Sequence, residues 1–83
     1  MKNNMLYKRV LKENEKIVFY SNDKIIGEIS NKNVLKLTFK VYNSDNIACI
    51  IEYNDNIKVC IWCNSYEIVN VNTNELIEYF YEE

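Results

Sequence analysis

The stretch VLKLTFKVY, residues 34–42, places Leu35, Leu37, Phe39 and Val41 on one face and Lys36, Thr38 and Lys40 on the other. Strict two-residue alternation of this kind is the mark of a half-buried strand. The two runs that follow keep the pattern, with Ile47, Cys49, Ile51 and Tyr53, then Ile57, Val59, Ile61 and Cys63, on matching parity. A hairpin holds both sets on one face only if its loop has an odd number of residues. Asn54, Asp55 and Asn56 are therefore predicted to form a three-residue turn with Asn56 left-handed.

Working outward, the chain is punctuated by asparagine, because it holds one glycine and no proline. Clusters of Asn, Asp and Ser recur at residues 21–23, 31–33, 43–46, 54–56 and 64–65. Such residues bond their own backbone and tolerate positive φ, so they turn the chain where glycine is missing. Ile17, Phe19, Ile25 and Ile29 supply an earlier hairpin, and residues 66–71 a last strand. The ends read differently. Asn4 precedes Met5, Leu6, Tyr7, Val10 and Leu11 at three- and four-residue spacing, which predicts a short N-terminal helix. Asn72 precedes Glu75 at a capping-box interval, and Leu76, Ile77 and Phe80 then form a stripe, which predicts a C-terminal helix. The expected fold is α+β and mainly β: one domain over residues 1–83, an antiparallel meander of five to six strands, open or closed into a small barrel, with a helix at each end.

The second face of the central strands is unusual, since alternation assigns Ala48, Ile50, Cys60 and Trp62 to it. A sheet apolar on both sides needs two covers. Closure into a barrel, cover by the terminal helices, or contact of Trp62 and its neighbours with a partner would each answer that need. Intramolecular cover is the default expectation, because large exposed apolar patches are uncommon on monomers.

Composition narrows the function. The 83 residues carry 10 basic and 12 acidic side chains and no histidine. Nine of the basic residues lie in positions 1–40 and eight of the acidic ones in 41–83. Cross-strand pairing of basic early strands with acidic later ones is one account of this split; two surfaces of opposite sign is the other. Without histidine the usual base near neutral pH is missing, and a single glycine leaves no phosphate-cradling loop. Cys60 and Cys63 have a CxxC spacing, but residues three apart on a strand point to opposite faces and cannot converge on a metal. Buried, inert thiols are expected, with no enzyme activity, cofactor or metal. Asn, Ile, Lys and Tyr make up about half of the chain, a bias of A/T-rich genomes. Residues 1–10 hold no apolar signal-like run, and three cysteines leave one over from any disulfide set, so a cytoplasmic location and no membrane contact are expected.

By elimination the expected role is binding. The leading expectation is a small protein–protein interaction module, of the kind a phage or mobile element uses as an anti-defence inhibitor of a host complex. Trp62, Ile50, Glu75, Glu78, Tyr79 and Tyr81 are its candidate contacts, combining an apolar patch with acidic, tyrosine-rich residues. A first alternative is a nucleic-acid-binding accessory protein using Lys36, Lys40, Lys24 and Tyr42, since basic stripes with aromatic platforms hold single strands. A second is a homo-oligomeric structural subunit, such as a homodimer, joined through Trp62.

Overall fold

A computed structural model describes residues 5–43 and 46–80. Eight strands run β1 (Met5–Arg9), β2 (Glu15–Ser21), β3 (Lys24–Ser30), β4 (Val34–Asn43), β5 (Asn46–Tyr53), β6 (Lys58–Cys63), β7 (Ser65–Asn70) and β8 (Leu76–Phe80). They form two antiparallel sheets of four strands, ordered β1-β4-β5-β6 and β3-β2-β7-β8. The chain is thus all-β, a sandwich, and neither predicted helix is present among the described residues. Asn4, the proposed first cap, and Tyr81, Glu82 and Glu83 lie outside the described residues.

Both missing helices have local explanations. In β1 the residues read as a helical stripe separate by strand parity: Tyr7 turns inward onto Phe39, and Leu6 points out. At the other end Asn70, not Asn72, supplies the cap, its Oδ1 accepting from the Asn72 and Thr73 N–H groups at 2.8 and 3.1 Å. The Asn74 N–H then donates to the Asn70 carbonyl, closing one helical turn. Asn74 goes left-handed at φ 61°, which ends that turn and sends Leu76–Phe80 back along β7 as a strand.

The β4–β5 hairpin follows the predicted alternation, whereas on β6 Cys63 is buried and Ile61 half-buried but Val59, like Ile57 before it, is exposed. Leu37, Phe39, Val41, Ile47, Cys49, Ile51 and Cys63 are all buried. Asn56 sits at φ 71°, and its N–H donates to the Tyr53 carbonyl, so the three-residue turn has the expected form. Asn56→Val is predicted to cost about 1–2 kcal/mol in a urea denaturation series, because a β-branched side chain clashes in the left-handed region. The β2–β3 connection uses Asn22 and Asp23, both at positive φ, as a two-residue mirror-image turn. Two further departures from simple alternation come from bulges. Leu35 is exposed because a register shift between Val34 and Lys36 turns Val34 inward instead. A bulge at Phe19/Tyr20 likewise sets Phe19 against Gly27 and Tyr20 against Ile25, leaving Ile25 exposed.

The core lies between the sheets. Its axis is a column of rings: Tyr7 on Phe39 at 5.0 Å, Phe39 on Tyr66 at 4.4 Å, and Tyr66 on Phe80 at 6.2 Å between centroids. Tyr7 and Tyr66 also share a 2.7 Å hydroxyl hydrogen bond, so the phenols bridge the sheets while remaining satisfied. Burial pushes the Tyr66 hydroxyl far above the ordinary phenol range. At the β1/β8 side, Arg9 donates to Glu78 at 2.8 Å and to Glu15 at 3.0 Å, tying β1, β2 and β8 together. Glu15 is 4% exposed and also accepts the Lys12 N–H at 2.8 Å.

Candidate functional site

With no helix to cover it, the apolar second face of the central strands forms the outside of the first sheet. Register places its side chains in three cross-strand rows: Leu6, Lys40, Ala48 and Trp62; Lys8, Thr38, Ile50 and Cys60; and Lys36, Glu52 and Lys58. Trp62 is 55% exposed. Its ring stacks on Tyr42 at 5.5 Å between centroids, reaching over β5. That reach is possible because Ala48 is small, and Ala48 is accordingly buried on the outside of its sheet. The Lys40 ammonium lies 5.2 Å from the centre of the Tyr42 ring, a cation–π distance.

The face is basic. Its three rows contain four lysines and one acid, Glu52, which pairs with Lys36 at 3.5 Å. Beside Trp62 a shallow hollow of about 120 Å³ is bounded by Ser21, Asn46, Cys63 and Asn64. The outside of the second sheet is different in kind. Its central row runs Glu28, Val18, Glu67 and Tyr79, with Lys16 bound to Glu28 at 3.0 Å and the Tyr20 hydroxyl donating to Glu67 at 3.0 Å. Part of the charge split along the chain is consumed by pairing, as in Arg9 with Glu78 and Lys36 with Glu52. The remainder makes the two outer faces unlike in sign.

The residues expected from sequence regroup on this geometry. Trp62 and Ile50, taken as protein contacts, share a face with Lys36, Lys40 and Tyr42, taken as nucleic-acid contacts. Lys24 does not join them, because it closes the β2–β3 turn of the other sheet. Glu75, Glu78 and Tyr79 do not form a helix rim. Glu75 is exposed in the β7–β8 turn, the Glu78 carboxylate is held by Arg9, and Tyr79 points outward beside Glu67. Leu6 and Lys8 were hidden by the helical reading of the N-terminus. Lys58 was legible, since it shares the parity of Cys60 and Trp62.

Of the cysteines, Cys49 and Cys63 are buried, as expected, whereas Cys60 is exposed. Burial pushes the Cys63 thiol up to about 11, partly opposed by a backbone hydrogen bond from Ser65, and pushes Cys49 up as well. Both are therefore thiols, poor nucleophiles near neutral pH. Among the described residues no three His, Cys, Asp or Glu side chains come together as a metal site, and no helix is long and apolar enough to cross a membrane. No protein-family model, curated protein or solved structure matches the chain.

Proposed function

We propose that the protein is a non-catalytic binding module that docks an acidic surface of another protein onto the outside of its first sheet. One observation carries the reading: an exposed tryptophan stacked on a tyrosine, set among apolar side chains and four lysines, on a sheet face that no other described element covers. An apolar aromatic centre with a charged rim is the usual anatomy of a protein interface, and tryptophan is the commonest energetic anchor. Such a module would act by occupying its partner's surface, as an inhibitor of a host complex does.

A second reading has its own support. The Tyr42–Trp62 stack beside Lys40 resembles the aromatic and basic platforms on which single-stranded nucleic acid lies.

The single tryptophan reports on both readings, since its emission is that of Trp62 alone. Titration with a short single-stranded oligonucleotide is predicted to leave the emission unchanged, while a captured protein partner that survives nuclease shifts it. Quenching by the oligonucleotide, lost as salt rises, would reverse the order of the two readings. Charge reversal of Lys36 and Lys40 is expected to weaken binding at least about tenfold while leaving the thermal midpoint little changed. Trp62→Ala is a usable probe as well. A covered core tryptophan would be costly to remove, but this half-exposed ring should cost about 1 kcal/mol, mostly the lost stack on Tyr42.

A further inference from the structure

A sheet edge exposes a row of unpaired backbone groups, and proteins usually blunt such edges with charges or bulges. Three of the four edges here are blunted. β1 carries Lys8 and Arg9 within five residues. β3 meets its neighbour through the Phe19/Tyr20 bulge and bears Lys24 and Glu28. β8 meets β7 through a register shift and bears Glu78. β6 differs, because it pairs with β5 over six residues with no shift, and its only charge is Lys58 at the first position.

The hydrogen bonding of the β5–β6 turn fixes which backbone groups of β6 are free. The Tyr53 N–H donates to the Ile57 carbonyl, so residue 57 faces β5. Alternation then turns 59, 61 and 63 toward β5 and leaves the N–H and C=O groups of Lys58, Cys60 and Trp62 pointing outward. Asn64 has the outward parity, and its N–H indeed leaves the sheet, donating to the Tyr20 carbonyl at 2.9 Å.

We propose that two copies of the chain join edge to edge through β6, antiparallel, with Cys60 opposite Cys60 and Lys58 opposite the second copy's Trp62. Opposed residues in a sheet must share a face, which limits the registers to every second one. Centring on Cys60 matches all three outward residues with outward residues, and each such pair exchanges two backbone hydrogen bonds. Centring on Ile61 instead sets Lys58 against Asn64, whose N–H is already taken. In the Cys60 register no like charges meet, and each Lys58 ammonium lies beside a tryptophan ring, a favourable cation–π partner. The two-fold axis stands perpendicular to the sheet, so both Trp62 faces lie on the same side of one continuous eight-stranded sheet. This assembly rests on the edge alone and holds whatever occupies the face.

Sedimentation equilibrium of the full chain from micromolar to millimolar concentration tests it. The mass is expected to rise from 10.0 kDa to twice that value. Cys60→Lys sets two ammonium groups against each other, and Cys60→Pro removes an outward N–H that β5 does not use. Both variants should remain monomeric throughout with an intact thermal transition. A short thiol–thiol crosslinker should join two wild-type copies through Cys60 and fail with Cys60→Ser, since the other two cysteines are buried. A wild-type mass that stays at 10.0 kDa over the whole range would overturn the proposal, as would a dimer that neither edge variant dissociates.

Discussion

Phe39→Ala is expected to remove a large share of the stability of the domain. Phe39 is fully buried in the ring column, with Tyr7 on one side and Tyr66 on the other. Removing a buried phenylalanine costs about 3–5 kcal/mol, through lost transfer free energy and the cavity left behind. A domain of 83 residues has about 4–12 kcal/mol in total, at 0.05–0.15 kcal/mol per residue. The loss is therefore a large share of the stability, and at the lower end of that range all of it. Urea denaturation followed by circular dichroism checks it. A midpoint close to wild type would show that the column is not what joins the sheets. Phe39→Leu keeps most of the volume and should lose no more than about 1.5 kcal/mol.

The second large effect belongs to Glu15. Burial alone would raise its pKa, but the Arg9 guanidinium and the Lys12 N–H outweigh burial and hold the carboxyl below its ordinary value. Glu15→Ala takes the acceptor from the Lys12 N–H and one of two carboxylates from Arg9. Breaking a fully buried ion pair costs about 3–5 kcal/mol, and because Arg9 is 19% exposed and keeps Glu78, a loss of about 2–3 kcal/mol is expected. The pH dependence has a definite sign. A carboxyl whose folded pKa lies below its unfolded one stabilises the fold at all pH values above the ordinary carboxylate range. That contribution declines as pH falls from the ordinary range through the lowered folded value. Wild type should therefore lose stability on acidification more steeply than Glu15→Ala. Parallel curves for the two proteins would show that Glu15 carries no such linkage.

How far the sequence foretold this arrangement varied with strand length. The long central strands each offered several alternating positions, and Leu37, Phe39, Cys49 and Ile51 fell where alternation put them. The three-residue turn was legible for the same reason, since parity on both sides left Asn56 no other conformation. The five-residue strands at the ends were too short to separate a period of two from one of 3.6. Their apolar residues satisfied both, and the partners that decide between them are distant: Tyr7 pairs with Phe39 and Phe80 with Tyr66. The same ambiguity hid half of the binding face. Trp62, Ile50, Lys36 and Lys40 could be named from the central strands, but the protein-binding and nucleic-acid-binding sets looked like rivals until register put them side by side. The bond of Glu78 to Arg9 was not legible, because nothing local announces an ion pair with a residue 69 positions earlier.

The order of the strands has a consequence for how the molecule comes into being. β2 sits in the middle of its sheet, and its inner neighbour is β7, with Glu15 paired to Asn70. A chain emerging from the ribosome presents β2 and β3 early, as a lone hairpin, and such hairpins are marginal in water. The first sheet can assemble from β1, β4, β5 and β6, but the surface it must pack against cannot close until β7 and β8 have been added. Closure of the second sheet thus waits for β7 and β8, and until then Ile17 and Phe19 sit in a lone hairpin whose open edge is available to another strand.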